Sequence, residues 1–136
     1  MLASGLPEVV ADDEGLARFL TSSNQCNTQM VKPAAFLPSV NSRETSVFRH
    51  GAEPLEALWA IGDAHLTRFH GAAIVKAKDV RAVLLDVIAE EPPQRHAAIR
   101  GWPWFGDDPV ERKAQQKERA NQIASQAALL KRQAAD

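Results

Sequence analysis

The sequence predicts an α+β fold: a small mixed or antiparallel sheet packed by helices, with a long C-terminal helix. Three observations carry this. Segments of strand-like composition at 45–49, 72–77, 87–90 and 96–100 alternate with segments of helical spacing. The chain has 136 residues, 45% of them hydrophobic, which is one domain's worth of sequence. A chain of that size buries roughly two thirds of its extended surface. Finally, residues 109–134 contain no glycine and no proline after Pro109, and are rich in Ala, Gln, Lys and Glu. One domain over 1–136 follows, with residues 1–10 weakly patterned and expected to be flexible.

Taken in order, Asp12-Asp13-Glu14 reads as a helix start, because acidic groups suit the free N–H groups of a first turn. Leu16, Phe19 and Leu20 follow at helical spacing, with Arg18 directed elsewhere. The small polar side chains of 21–29 end this helix by competing for backbone hydrogen bonds. Residues 31–38 read as extended, since Pro33 and Pro38 bias Lys32 and Leu37 away from the helical region. A polar loop at 39–44 leads into a strand at 45–49. Thr45, Val47 and Arg49 share one face of it, Ser46 and Phe48 the other. His50-Gly51 closes that strand.

A helix is expected over 53–61, with Pro54 in its first turn and Leu55, Leu58, Trp59 and Ile61 forming its apolar stripe. Gly62 ends or bends it, and 65–69 reads as a short helical turn. A buried strand at 72–77 follows Gly71, and Asp79 is placed to cap a short helix at 80–85. Strands at 87–90 and 96–100 flank a proline-stiffened exit at 91–94. Residues 101–106 form an aromatic loop, and the helix over 109–134 closes the chain. At 1.5 Å per residue that helix is about 38 Å long. The expected radius of gyration is about 14 Å, so the helix crosses the body or projects from it. Ala120, Ile123, Ala127, Leu130 and Ala134 give it a thin apolar stripe.

Charge and cysteine content exclude several classes. The 16 basic and 17 acidic side chains leave a formal net charge of −1, which argues against a charge-driven nucleic-acid binder. The distribution is uneven: net +3 from residue 109 onward and −4 before it. One cysteine, Cys26, excludes an internal disulfide and a four-cysteine metal site, and a reducing, cytoplasmic setting is the default. No apolar run is long enough to span a membrane, and no secretion signal opens the chain. Neither a phosphate-binding loop nor a metal motif is present, so no metal and no cofactor is expected. His65 and His70 are five apart, an unusual spacing for a metal pair.

Two polar islands are candidate chemistry, 45–50 and 90–96. His96 titrates near neutrality and suits acid or base work. Arg95 offers a planar five-donor fork for a carboxylate or phosphate, and Lys32 or Arg49 completes an anion clamp. These four are the catalytic candidates, and they require convergence in one pocket. The structural alternative pairs Arg95 with Glu90 or Glu91 and Arg49 with Glu44, and leaves His96 capping a loop. Trp102, Trp104 and Phe105 form an aromatic cluster that plugs the core, anchors a partner or stacks on a nucleic-acid base, the last disfavoured by the net negative charge. With Ile123 and Leu130 on the terminal helix they are the candidate interaction residues.

Several segments together resemble a small bacterial family without an assigned activity. They are Val31-Lys32-Pro33 with Ala35-Phe36, then residues 44–49 (ETSVFR), residues 92–99 (PPQRHAAI) and Gly101-Trp102-Pro103. The resemblance spans roughly residues 16–130 and assigns no catalytic role. It implies a bacterial, cytoplasmic protein, of a kind often encoded in accessory clusters that include defence or mobile elements. The functional expectation is an interaction or accessory protein whose partner is another protein or a second copy. Nucleic acid is disfavoured and a membrane is not expected. The alternative is a small enzyme or nucleotide- or anion-binding domain using Arg49, Arg95 and His96.

Overall fold

The computed structural model describes residues 2–104 and 108–132. Its six strands are β1 (Gly15–Leu20), β2 (Thr45–Arg49), β3 (Gly71–Lys76), β4 (Asp86–Ala89), β5 (His96–Arg100) and β6 (Ala128–Lys131). The helices are α1 (Leu55–His65), α2 (Ala77–Arg81) and α3 (Pro109–Gln126), with a short 3-10 turn at Pro33–Ala35. The strands form one sheet in the order β4-β5-β2-β1-β3-β6. Every neighbouring pair is antiparallel. The expected α+β architecture with packed helices is therefore present.

Strand alternation gives the sheet two buried faces. Leu16, Leu20, Val47, Ala73, Val75, Val87, Ala97 and Ile99 belong to the larger core, under the 3-10 turn, α2 and α3. Ala17, Phe19, Phe48 and Ala72 face the other way and pack against Leu58 of α1 and against Phe69. Phe19 meets Phe48 and Phe69 edge-on, with ring centroids 5.7 and 4.9 Å apart.

The segment read as a first helix is strand β1. Its sequence, GLARFL, is apolar on both faces because the sheet is covered on both sides, and such a run has no helix-distinguishing period. The acidic residues before it are counterions for distant arginines rather than a helix start: Asp12 pairs with Arg81, Glu14 with Arg49. Residues 33–35 form a 3-10 turn where extended chain was expected, with Pro33 at the first position. The short helix α2 begins at Ala77, and Asp79 lies inside it rather than capping it.

The terminal helix is also shorter than expected. It spans 18 residues, about 27 Å at 1.5 Å per residue. Asp108 caps it, accepting from the Val110 and Glu111 N–H groups. At Ala127 the backbone becomes extended, and residues 128–131 pair with β3 as an edge strand. Pairing with an open strand edge overrides the helix propensity of Ala, Leu and Lys. Ala120, Ile123 and Ala124 are buried in the larger core, so α3 packs on its own sheet. Residues 2–14 lie across the fold and are tied at Ser4, Pro7 and Val10 by bonds to Glu91, Arg49 and Arg81.

Gly62 does not end α1, which continues to His65, so 65–69 holds no separate helical turn. It is buried where the helix meets the aromatic cluster. A Cβ there would sit 2.5 Å from Phe69 and 2.8 Å from Phe19. Gly62→Ala is therefore expected to destabilise the fold by about 1–3 kcal/mol through overpacking, despite alanine's better helix propensity. Urea unfolding checks this, and an unchanged midpoint would contradict the packing described.

Candidate functional site

The two polar islands identified in the sequence meet at the end of β2, in one hydrogen-bonded cluster. Arg49 ends β2 with its side chain on the larger-core face, opposite Leu16 of β1. Its side chain is 1% exposed. A buried guanidinium needs both a counter-charge and acceptors for its donors. Glu14 supplies the charge through a two-pronged pair, Nε to Oε2 at 2.7 Å and Nη2 to Oε1 at 2.6 Å. Nη1 donates to the Pro7 carbonyl at 2.6 Å. Glu44, the partner considered from sequence, pairs with Arg100 instead.

Arg95 lies beside this pair. The Arg49 N–H donates to the Arg95 carbonyl at 2.7 Å, and Arg95 Nε donates to the Arg49 carbonyl at 2.9 Å. Arg95 Nη2 pairs with Glu53, and its backbone N–H donates to Glu91. Its φ of +69° is unusual for a residue with a side chain, and these four bonds hold it there. Glu91 in turn accepts from the Ser4 N–H and hydroxyl, which fastens the N-terminal segment to the proline-rich loop.

His96 occupies the opposite face of the sheet. It is paired in register with Phe48 and meets that ring edge-on at 5.3 Å. Its Nδ1 lies 2.9 Å from the Glu90 carbonyl. Lys32 is exposed, and its backbone N–H donates to the Gln25 carbonyl. Among the described residues it makes no bond to Arg49, Arg95 or His96. The structure thus brings Arg49 and Arg95 together, but with all three guanidinium nitrogens of Arg49 and two of Arg95 engaged, and places His96 and Lys32 elsewhere.

The aromatic loop divides in two. Trp102 is buried in the larger core, with its indole N–H unpartnered among the described residues. Trp104 is half-buried at the surface, with the Arg43 and Arg112 guanidinium carbons 5.1 and 5.7 Å from its ring centre. Gln116 of α3 is buried and donates to the Pro103 carbonyl at 2.6 Å, which fixes the loop against the helix. Phe105 lies outside the described residues. Ile123 is fully buried, and Leu130 is half-buried on β6 opposite Ala72, so these two do not share a stripe.

Beside Trp104 lies a groove of about 460 Å³. Leu37, Pro38, Val40 and Trp104 make its apolar wall, and Arg112, Lys113 and Lys117 of α3 its basic one. Val40 is 80% exposed, unusual for a valine beside an aromatic ring. Of these residues the sequence reading singled out only Trp104. The available signals were an apolar Val40 inside a polar loop and the positive excess after residue 109.

No three His, Cys, Asp or Glu side chains come together as a metal site among the described residues. No described helix is long and apolar enough to cross a membrane. No protein-family model, curated protein or solved structure matches the chain.

Burial by itself would raise the Glu14 carboxyl, but hydrogen bonds from Arg49 and the Ala11 N–H and the charges of Arg49 and Arg95 hold it below its ordinary 4.5. Glu53 and Glu91 are lowered as well against the opposing effect of burial, Glu53 by the Glu53 and Gly51 N–H groups and then Arg95, Glu91 by Ser4, the Arg95 N–H and the charge of Arg49. A carboxyl whose folded pKa is depressed stabilises the fold fully above its unfolded value, and that contribution disappears as pH falls through the folded value. Stability is thus expected to drop as pH falls below about 4.5, with a shallower slope in Glu14→Gln than in the parent. Urea midpoints across that range test this, and parallel slopes would show that Glu14 carries no such linkage.

Proposed function

We propose that this chain is a protein-binding accessory protein and that the Trp104 groove takes an acidic segment of a partner protein carrying an apolar anchor. The observation that supports it is the chemistry of the groove wall: apolar side chains and a rigid indole on one side and, among the described residues, three cations and no carboxylate on the other. Its volume falls within the range of about 300–1,000 Å³ usual for binding pockets. Trp and Arg are the side chains that most often dominate interface energetics. The basic wall favours an acidic partner by complementarity and speeds encounter. A bacterial, cytoplasmic setting belongs to this proposal and is supported by the family resemblance and the single cysteine. A pocket built on Arg49, Arg95 and His96 has weaker support, since the Arg49 donors are engaged and His96 faces the other side of the sheet.

The test is titration of a fluorescein-labelled peptide of Asp and Glu flanking a central Leu and Phe, followed by anisotropy. Trp104→Ala and the pair Lys113→Glu with Lys117→Glu are each expected to weaken binding about tenfold or more, equivalent to about 1.4 kcal/mol. Binding should also fall with added salt. Circular dichroism confirms that each variant is folded. Failure to bind, or binding that both variants leave unchanged, would overturn the proposal. Sedimentation showing a dimer broken by the same substitutions would replace the acidic partner with a second copy.

A further inference from the structure

A second depression shares no residue with the Trp104 groove and is built at one end of the sheet. Register brings three chain segments there: Leu20 at the end of β1 pairs with Gly71 at the start of β3, and Gly71 pairs with Lys131 at the end of β6. The His70 N–H donates to the Leu20 carbonyl at 3.0 Å, and the Arg132 N–H to the His70 carbonyl at 2.9 Å. The resulting cleft has a volume of about 670 Å³. Thr21, Ser23, Thr28, Arg68, His70 and Lys131 line it, and no carboxylate does among the described residues.

The loop forming its polar wall is organised by its own side chains. Gln25 Oε1 accepts from the Thr21 and Ser22 N–H groups at 2.6 and 3.1 Å. Asn27 Oδ1 accepts from the Gln29 and Met30 N–H groups, each at 2.8 Å. A bridge between Cys26 and Val31 closes the loop. Side-chain acceptors are consumed in holding the backbone, so donors are left over. The hydroxyls of Thr21, Ser23 and Thr28 make no hydrogen bond among the described residues.

The cations are arranged on the same logic. Arg132 is fixed by Asp63 through two bonds of 2.7 and 2.8 Å. Arg68 and Lys131 have no carboxylate within ion-pair distance among the described residues. Beyond Thr21, Arg18 lines an adjoining hollow. Its guanidinium bonds to the Ala35 and Ser46 carbonyls and to no carboxylate among the described residues. A preformed wall of donors with unneutralised cations suits an anion with several acceptor oxygens.

We propose that this cleft binds a small phosphate-bearing molecule, with Arg68 and Lys131 as its charge partners and the Thr21, Ser23 and Thr28 hydroxyls as neutral donors. A cleft of this volume is larger than a single phosphate requires and accommodates a nucleotide-sized ester. The site stands apart from the acidic-segment reading of the Trp104 groove, and each can fail without the other.

Cys26 lines the same cleft and is the chain's one cysteine, so it reports occupancy directly. The experiment is the rate of Cys26 alkylation by iodoacetamide with inorganic pyrophosphate or adenosine monophosphate added, alongside calorimetric titration of both. Either probe is expected to slow alkylation, and Arg68→Glu to abolish protection and weaken binding about tenfold or more. Arg68 is exposed in a loop, so this variant should fold, and Thr28→Ala gives a milder second variant expected to weaken binding severalfold. Stronger protection by the nucleotide would identify an ester, and equal protection the free anion. Absence of binding by both probes, or binding without Cys26 protection or insensitive to Arg68→Glu, would overturn the proposal. So would binding of a single-stranded oligonucleotide alone.

Discussion

The placement of one charge constrains much of this fold. Arg49 is 1% exposed at the end of a central strand, and a guanidinium in that position is tolerable only with a counter-charge and acceptors at its other donors. Glu14 must therefore stand beside it, which fixes where β1 begins and sets Leu16 opposite Arg49. The Pro7 carbonyl draws the N-terminal segment across the same spot, and the reciprocal bonds between Arg49 and Arg95, one from the Arg49 N–H and one from Arg95 Nε, hold the proline-rich loop. Glu53 then ties the approach to α1 through Arg95. Three segments far apart in sequence are thus bound to one strand end.

That arrangement separates architecture from the surfaces available for binding. The polar islands that read as candidate chemistry are largely used in holding the chain together. Cations without an ion pair among the described residues lie elsewhere, and two groups of them border a depression: those along α3 beside Trp104, and Lys131 at the end of β6 with Arg68. Both surfaces sit on segments flanking the core rather than on the core strands. The basic C-terminal portion supplies one wall of each, which gives the charge asymmetry of the sequence a physical meaning.

Much of the fold was legible. The strand at 45–49 has a polar Ser46 facing outward and glycine after it, and the strands at 71–76, 86–89 and 96–100 are short apolar runs with clear breaks. β1 was illegible as a strand because both its faces are covered, so its apolar residues fit a helical spacing equally well. β6 was illegible because its residues favour helix locally, and only the open edge of β3, more than fifty residues earlier, makes them a strand. The candidate site was less legible. The Trp104 groove joins residues 37–40 with residues 112–117, and the phosphate cleft joins the loop after β1 with the end of β6. No local pattern connects such segments. The sequence did mark Trp102 and Trp104 as a pair, but their division between core and surface depends on Gln116 anchoring the loop between them.

The most direct test of the central constraint is a double-mutant cycle on Glu14 and Arg49, using Glu14→Gln, Arg49→Met and the double variant with unfolding free energies at neutral pH. Removing one partner of a buried pair typically costs about 3–5 kcal/mol because it leaves the other charge uncompensated, whereas the double variant leaves no unpaired charge. The account therefore requires Glu14→Gln alone to be strongly destabilising and the double variant to recover much of that loss, with a coupling of about 2 kcal/mol or more. Additive single effects would show that Arg49 and Glu14 are merely neighbours and that the fold does not depend on their pairing.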